Sequence, residues 1–347
     1  MKLLAALLLL AMAAPPVRAE TGTTALPFLK LDAGARAAGL AGAYCAAGDD
    51  ALAVFYNPAG TALAGRKEIL LGHNEWLDGL RNETAAYVHP FENGLSVFGG
   101  LNALFSGAME KYGASGAALG SFSSREGALS AGVSGRLGNG YYGGLAAKAF
   151  YQSADGESAT AWAGDAGLLK VLGDWRFGLS ASNFGGSMQL GSRAFGLPLL
   201  LRSGVSAAVL PRLRLSADAV KGGETGWQGA FGAEAELPAN PREAFFLRAG
   251  YRTGRGVNAG PGFSAGLGFR NGDLRLDYAF APYGDLGDSH RVTVAVGFGG
   301  ERLPPEERRA YRVVAPQKPG QKKPAPARKQ EKKKSGAKDG EPVYFMW

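Results

Sequence analysis

The sequence predicts an all-β protein, specifically a transmembrane antiparallel β-barrel of about 14 strands. Between residues 67 and 300, apolar and polar side chains alternate with a period of two, as in a strand whose two faces meet different surroundings. The alternating segments are about ten residues long, which suits a tilted strand that crosses a bilayer. No run of about 18 apolar residues occurs, so a helical membrane protein is excluded and only a closed barrel could span the membrane.

Residues 1–19 have the parts of a secretory signal peptide. Lys2 supplies a positive charge, residues 3–14 form an apolar run, and residues 17–19 resemble a cleavage site that ends at Ala19. Pro15 and Pro16 end the apolar run at that point, which disfavours the alternative of a buried N-terminal helix. We therefore expect the mature chain to work outside the cytoplasm.

The charge and the cysteine content exclude several classes of protein. The net charge is +8, but most of it belongs to residues 301–347, so the body of the chain is nearly neutral and a nucleic-acid partner is not expected. Cys45 is the only cysteine, which rules out an intrachain disulfide and gives no sign of a cysteine metal site. We expect no cofactor.

The alternating segments show the two faces directly. One face of the segment that starts at Trp175 continues with Phe177 and Leu179, while the other face carries Arg176 and Ser180. Arginine or aspartate recurs on the second face of later segments, as a water-filled barrel requires. A soluble β-sandwich or propeller would alternate in the same way, but roughly 14 or 15 segments of this length, joined by short turns, favour the membrane barrel.

A motif in the N-terminal part of the chain resembles a known family. Residues 34–60 read GARAAGLAGAYCAAGDDALAVFYNPAG. This segment resembles the N-terminal region of the PorV/PorQ (UPF0164) family of outer-membrane proteins, which is related in fold to the FadL-type channels for hydrophobic compounds. The matching positions are Gly34, Arg36, Gly39, Gly42, Ala43, Asp49, Asp50, Asn57, Pro58, Ala59 and Gly60.

A second motif near the end of the barrel supports the same resemblance. Residues 276–291 read LDYAFAPYGDLGDSHR. The matching positions are Asp277, Tyr278, Pro282, Tyr283, Gly284, Asp285, Gly287, Asp288, His290 and Arg291. Two separate motifs make the match fairly specific, and it covers roughly residues 33–300.

The resemblance implies a 14-stranded barrel at residues 67–300 and a small plug, or hatch, at residues 20–66 that folds into the lumen. Asp49 and Asp50 could cap a short helix or pair with a lumen arginine such as Arg36. Pro58 fixes a turn and keeps the preceding Asn57 out of the helical region. Whether these residues only seat the plug or also gate a path for a ligand stays open, and seating is the simpler interpretation.

The second motif also predicts a turn between the last two strands, at residues 282–289. Asp285 and Asp288 could bind a cation there, but capping is the favoured interpretation because no third carboxylate has suitable spacing. The last strand ends on the lipid face at Phe298, which resembles the assembly signal of bacterial barrels, although the chain continues beyond it.

No arrangement of catalytic residues is evident. The histidines are His73, His89 and His290, and the neighbouring Ser289 would face the opposite side of a strand from His290. The motifs of serine hydrolases, zinc proteases and nucleotide-binding loops do not occur. We therefore expect that the protein is not an enzyme.

Residues 301–347 are rich in proline and lysine and poor in large apolar residues, which predicts a basic, disordered tail on the periplasmic side. The tail ends in four large apolar residues, Tyr344, Phe345, Met346 and Trp347, after Val343. It is expected either to meet the cell wall or an acidic periplasmic partner, or to be an extension without a partner.

We expect the barrel to lie in the bacterial outer membrane, where lipid surrounds it. Three alternative functions remain open there, and the resemblance implies the first two. In the first, the barrel binds exported proteins and secretion-machine subunits at the cell surface. In the second, it takes up hydrophobic small molecules as FadL-like channels do, and in the third it is a structural barrel. An apolar lumen pocket would favour uptake, whereas long ordered extracellular loops and a plugged lumen would favour partner binding. The predicted loops are mostly short, and the longest candidates lie around residues 106–113, 152–158 and 185–197.

Overall fold

A computed structural model describes residues 24–190, 193–222, 226–240, 242–254 and 260–299. The predicted signal peptide and the predicted C-terminal tail lie outside the described residues.

The described residues form 18 strands. Their bounds are β1 Lys67–Glu75, β2 Arg81–Pro90, β3 Leu95–Phe105, β4 Met109–Tyr112, β5 Ala118–Phe122, β6 Ser124–Gly138, β7 Tyr141–Ala154, β8 Glu157–Leu172, β9 Trp175–Phe184, β10 Ser187–Leu190, β11 Arg193–Gly196, β12 Leu200–Leu210, β13 Leu213–Gly222, β14 Trp227–Pro238, β15 Glu243–Arg252, β16 Phe263–Asn271, β17 Leu274–Pro282 and β18 Asp288–Phe298.

Fourteen of these strands form one closed antiparallel barrel, and the hairpins β4–β5 and β10–β11 are separate two-stranded sheets. Strand β1 closes the barrel by pairing with β18, with Lys67 opposite Phe298 and Glu75 opposite His290. Closure leaves no sheet edge with unpaired backbone N–H and C=O groups. Such an edge would be strongly unfavourable in a bilayer. The prediction of a transmembrane barrel of about 14 strands is confirmed.

The predicted alternation separates a lipid-facing surface from a lumen. In β9, Leu179 is 55% exposed on the outer face, whereas its neighbour Ser180 is 7% exposed and faces inward. Aromatic side chains on the outer face gather towards the two ends of the barrel, as in the aromatic girdles of membrane barrels. One group is Phe91, Tyr141, Trp175, Phe245, Phe269 and Phe298, and the other is Tyr151, Trp162, Phe184, Trp227, Tyr251 and Phe263.

The connections at the two ends differ in length. At the end where β1 begins, neighbouring strands are joined by short turns, such as residues 139–140 between β6 and β7. At the opposite end, residues 106–123 and 185–199 form long connections that contain the β4–β5 and β10–β11 hairpins. Outer-membrane barrels have short turns on the periplasmic side and long loops on the extracellular side. The end where β1 begins is therefore periplasmic, and the opposite end is extracellular.

The expectation of a long loop at residues 152–158 is wrong. These residues continue β7 and β8, which meet in a tight turn at Asp155 and Gly156, both with positive φ. A two-residue turn of this kind matches the twist of the paired strands.

Strand β9 contains a β-bulge that the alternation did not predict. Its register with β8 shifts between Gly164 and Ala166, whose partners are Phe184 and Ala181. Asn183 adopts a φ of 63° at this extra residue. Ser182 and Asn183 therefore both face the lumen, although they are consecutive in the strand. Phe184 thereby returns to the outer face.

Residues 24–66 lie inside the barrel. They form one helical turn, α1 (Ala35–Gly39), and three short 3-10 helices at Pro27–Lys30, Ala51–Phe55 and Pro58–Leu63. They contact inward-facing groups on strands all around the ring, including β3, β6, β8, β13, β14 and β18. None of the described helices has the length and apolar character needed to cross a membrane.

Candidate functional site in the barrel lumen

Arg36, at the second position of α1, is the centre of a buried ionic cluster. Its Nε and Nη2 atoms donate to the two carboxylate oxygens of Glu234, each at 2.9 Å. Its Nη1 atom donates to Asp49 at 2.7 Å, to Asp50 at 2.9 Å and to the Tyr44 hydroxyl at 3.0 Å. The planar guanidinium group suits such a set because it presents several N–H donors in fixed directions.

The cluster continues along the inner wall and joins the two sequence motifs. Arg248 donates to Glu234 at 2.6 Å and to Asp277 at 2.8 Å, and Arg275 donates to Asp50 at 2.7 Å. Arg275 also forms an ion pair with Asp277 at 3.0 Å. Asp49 and Asp50 of the first motif and Asp277 of the second therefore belong to one network, although more than 200 residues separate them in the sequence.

Two arginines keep Asp49 of this cluster ionised. Burial by itself would raise the pKa of Asp49, but the guanidinium groups of Arg36 and Arg176 hold that pKa well below its ordinary value. Arg176 of β9 lies 3.0 Å from the second carboxylate oxygen of Asp49. Removing one partner from such a buried set would leave an uncompensated charge, which typically costs about 3–5 kcal/mol.

Carboxylates also hold the backbone of the N-terminal segment. Asp218 of β13 accepts hydrogen bonds from the backbone N–H groups of Tyr44 at 2.9 Å and Cys45 at 2.8 Å. Asp50 caps the 3-10 helix at residues 51–55 by accepting from the N–H of Leu52 at 3.1 Å. Asp50 thus both caps a helix and pairs with arginines, so the two alternatives left open by the sequence occur together.

The N-P-A-G sequence seats the segment against β7 and β8. Asn57 accepts from the N–H of Ala59 at 3.1 Å and donates through Nδ2 to the carbonyl oxygens of Cys45 and Leu168, at 2.9 and 3.2 Å. A Cβ atom at Gly167 of the wall would lie 2.0 Å from the Asn57 side-chain oxygen, so the close approach requires glycine there. Pro58 and Ala59 make the corresponding contact with Gly144.

The remaining glycines of the first motif have positional roles. Gly42 follows α1 with a φ of 81°, a conformation that L side chains rarely adopt. Gly39 packs against the backbone of Gly266, and Gly34 precedes α1 with a φ of 68°. Gly60 lies against the carbonyl oxygen of Gly48. Gly39 therefore fits the segment against the wall, whereas Gly34, Gly42 and Gly60 serve the fold of the segment itself.

The second motif divides between the lumen and the outside. Asp277 and Arg291 face the lumen, while the Tyr278 hydroxyl and His290 Nδ1 form a hydrogen bond of 2.8 Å on the outer face. Pro282 ends β17, and the chain turns where the Tyr283 N–H donates to the Gly287 carbonyl, around a short 3-10 helix that begins at Gly284. Asp285 lies in that helix and Asp288 opens β18, and both are exposed. Within the described ranges, no group of three or more His, Cys, Asp or Glu residues could hold a metal ion.

The extracellular half of the lumen has a different chemistry. Here apolar residues of the N-terminal segment pack against inward-facing residues of the wall and against the β10–β11 connection. The cluster consists of Ala25, Leu26, Phe28, Ala128, Phe150, Ala161, Met188 and Leu197, with Leu29, Leu31, Leu104, Ala159, Ala163 and Phe195 at its border. We call this set the apolar chamber and residues 24–31 the stem, because those residues fill much of it.

A crevice separates the stem from the polar wall below it. It is lined by Leu29 and Leu31 on the segment and by Lys148, Arg202 and neighbouring wall residues. Lys148 forms an ion pair with Asp165 at 2.6 Å and donates to Asn183 at 3.0 Å. The crevice measures about 20 Å³, which is room for about one water molecule.

Some of these groups were not singled out by the sequence. Glu234 lies in a strand without a motif, and the apolar chamber depends on three distant parts of the chain. One available signal was Phe150, a large aromatic residue at an inward position of β7, where a water-filled barrel would normally place a polar group.

The chain resembles known proteins at two levels. Residues 10–171 match the uncharacterised protein family UPF0164, which confirms the resemblance seen in the first motif, whereas the second motif lies outside the matched residues. The barrel is similar to the toluene transporter TbuX of Ralstonia pickettii, with 14% identity, 79% of this chain and 100% of that chain covered, and a TM-score of 0.55. No curated protein matches the sequence.

Two further solved structures show the same architecture. The monoaromatic hydrocarbon channel CymD has 13% identity, covers 77% of this chain and 98% of its own, and has a TM-score of 0.54. A FadL homologue of Pseudomonas aeruginosa has 13% identity, covers 77% of this chain and 100% of its own, and has a TM-score of 0.53. Identities this low establish the fold alone. The chain is thus a bacterial outer-membrane β-barrel with the fold of these structures, and its residues 10–171 carry the UPF0164 sequence pattern.

Proposed function

We propose that this barrel is a passage for small hydrophobic molecules through the outer membrane, and that residues 24–66 are the plug that closes it. The observation that carries the proposal is the apolar chamber in the extracellular half of the lumen. Sites for small molecules are concave and mostly apolar, with a few polar groups that set orientation.

The contrast within the lumen supports this proposal. Inward positions near the ionic cluster hold arginine and carboxylate groups, whereas Phe150 and Met188 are nearly fully buried among apolar neighbours. An inner wall that served only to hold water or to support the membrane would need no such region. A hydrophobic molecule that entered from outside would find its complementary surface here.

The stem is the part that such a molecule would replace. Phe28 and Leu26 fill the chamber. Among the described residues, the backbone of the stem pairs with the β10–β11 connection only at its start, where the Ala25 N–H donates to the Gly196 carbonyl at 3.0 Å. A ligand that occupied the place of Phe28 would exchange one set of apolar contacts for another, at small net cost. The proposed opening is therefore a displacement of residues 24–31.

The structural relatives favour uptake over export. Two of them are described as a toluene transporter and a monoaromatic hydrocarbon channel. Binding of exported proteins, the first expectation from the sequence, has the extracellular β4–β5 and β10–β11 hairpins in its favour and is the second candidate. We do not propose catalysis, because His73, His89 and His290 all lie on the outer face and contact Glu83, Tyr87 and Tyr278.

Binding of a hydrophobic probe tests the proposal. Detergent-purified protein is equilibrated with toluene or with a long-chain fatty acid, passed through a desalting column and analysed by gas chromatography. The wild type is expected to retain one of these probes, and Phe150→Asp, which puts a charge into the apolar chamber, is expected to lose it. Leu145→Asn is the matched control, because Leu145 lies on the same strand and is 61% exposed on the outer face.

Mass spectrometry of protein purified from outer membranes separates the two candidates. Recovery of a hydrophobic compound that Phe150→Asp no longer retains supports the passage. Stoichiometric recovery of exported proteins, with neither probe retained by the wild type, would contradict the passage and favour export.

A further inference from the structure

The outer face of the barrel carries a groove near the extracellular ends of β2, β3 and β6. We propose that this groove binds the phosphorylated headgroup of a glycolipid in the outer leaflet. Its lining residues are Arg81, Glu83, Phe105, Ser106, Ser123 and Arg125, and its volume is about 380 Å³. The barrel wall separates it from the lumen, so the inference is independent of the proposed passage.

The register places two arginines on either side of one aromatic ring. Arg81 of β2 lies opposite Phe105 of β3, and Phe105 lies opposite Arg125 of β6. Residues that lie directly opposite each other point to the same face of a sheet. Neighbouring strands are about 4.8 Å apart, so the two arginines start roughly 10 Å apart and their long side chains can converge on one group above Phe105.

This row faces the membrane. Asn82, next to Arg81, and Asn102, three residues before Phe105, are buried and hydrogen-bonded to each other in the lumen at 2.8 Å. Residues an odd number of positions apart in a strand face opposite sides, so Arg81 and Phe105 point outward. In the described barrel strands, Arg81 and Arg125 are the only arginines on the outer face. All the remaining arginines of these strands face the lumen. An unpaired arginine on the lipid-facing surface is unfavourable, and an anionic headgroup at the membrane boundary offsets that cost.

The nearby carboxylates leave both guanidinium groups available. Glu83 accepts a hydrogen bond from His73 Nδ1 at 2.8 Å, and His73 Nε2 lies 3.6 Å from Glu75 on its other side. Neither carboxylate comes within ion-pair distance of Arg81 or Arg125 in the structure. Arginine binds phosphate through two parallel N–H donors, so two arginines in one row suit a phosphate group.

The other lining groups suit the sugar of a glycolipid. Glu83 offers carboxylate oxygens, Ser123 supplies a hydroxyl group at the rim, and Phe105 offers an apolar face between the charges. Hydroxyl and carboxylate groups bind sugar hydroxyls, and clusters of basic residues at a membrane surface recognise anionic lipid headgroups. A phosphorylated sugar carrying acyl chains matches this combination and the position of the groove at the membrane boundary.

Retention of lipid A tests the inference. The full chain is reconstituted into phosphatidylcholine vesicles that contain a small fraction of lipid A. It is then extracted into a mild detergent, and the number of lipid A molecules bound per protein is measured by native mass spectrometry. The wild type is expected to retain one lipid A, and the double variant Arg81→Gln with Arg125→Gln is expected to retain at least about tenfold less, since two charge-assisted contacts are lost. Glutamine remains polar at these exposed positions, and the heat-dependent gel mobility of the barrel checks that the variant is folded.

Lys221→Gln is the matched control, because Lys221 also lies on the outer face near the extracellular end, in β13. It is expected to retain lipid A like the wild type. Equal retention by the double variant and the wild type, or an equal loss in the control, would overturn the proposal. Displacement of lipid A by millimolar inorganic phosphate would also overturn it, because the groove would then recognise a free anion instead of a lipid.

Discussion

The two halves of the lumen hold the N-terminal segment by different physical means. Residues 32–66 are fixed by the ionic cluster around Arg36 and by hydrogen bonds to wall residues such as Asp218. The stem, by contrast, is held mainly by the apolar contacts of Leu26 and Phe28 in the chamber. Both parts are well buried, so burial alone does not distinguish them.

The difference lies in what each part loses when it moves. Charged groups in a closed network must find new partners or water, and removing one of them is strongly unfavourable. Apolar contacts have no direction, so another apolar molecule can replace them. The comparison predicts an anchored part and a displaceable part, and Cys45, fully buried in the anchored part, is a natural reporter of its position.

Arg36→Ala is expected to have the largest effect. The substitution removes a cationic partner of Asp49, Asp50 and Glu234. The free energy of docking of residues 32–66 in the lumen should become less favourable by about 3–5 kcal/mol. Cys45 should then react with a maleimide at least a hundredfold faster than in the wild type, measured by mass spectrometry over time. The barrel itself should keep its heat-dependent gel mobility.

Arg66→Ala is the control for this prediction. Arg66 pairs with Asp273, whose side chain is 72% exposed at a periplasmic turn, and such surface pairs are worth at most about 1 kcal/mol. Unchanged labelling of Cys45 in Arg36→Ala would show that the ionic cluster does not anchor the segment.

Phe28→Ala should act on the stem alone. The lost contacts are expected to destabilise its docking by about 3 kcal/mol, at the low end for buried aromatic residues because the stem can detach locally. Trypsin should then cleave after Lys30, whereas Cys45 should stay protected. Phe245→Ala, at a position 49% exposed on the outer face, should leave both readouts unchanged. Simultaneous exposure of Cys45 would mean that the two parts move as one.

The sequence predicted the wall better than the contents of the lumen. Alternation assigns each residue of a strand to a face, and it correctly turned Arg176, Arg248 and Arg275 inward because lipid and water impose opposite preferences. One exception is Asn183, where a bulge adds a residue that no period of two can represent.

Partners across the lumen could not be predicted in the same way. Asp49 and Asp50 lie close to Arg36 in sequence, so their pairing was a local possibility. The pairing of Arg36 with Glu234 depends on closure of the whole barrel and on the register of β14, which no single segment specifies. The apolar chamber likewise brings together the stem, three neighbouring strands and a distant hairpin.

Asp218→Ala should have a smaller effect than either substitution above. It removes the acceptor of two backbone N–H groups, those of Tyr44 and Cys45, and leaving them unpaired should cost about 1–3 kcal/mol. Labelling of Cys45 should accelerate roughly tenfold. Asp218→Asn keeps an oxygen acceptor and should recover most of the protection. Equal acceleration in both variants would point to the charge of Asp218 instead of its hydrogen bonds.

The smallest expected effect is that of moderate acid. The folded-state pKa of Asp49 is held well below its ordinary value near 4, so its stabilising contribution is complete above about pH 4 and is lost only as pH falls through that lowered pKa. Labelling of Cys45 with dithiodipyridine, which reacts at acidic pH, should therefore differ by less than about twofold between pH 7 and pH 4.5, after correction with denatured protein. The stem carries no titrating contact in the apolar chamber, so cleavage after Lys30 by a protease active at both pH values should be equally insensitive. Exposure of Cys45 near pH 5 would show that the arginines do not keep the cluster ionised, and that the anchored part releases before the stem.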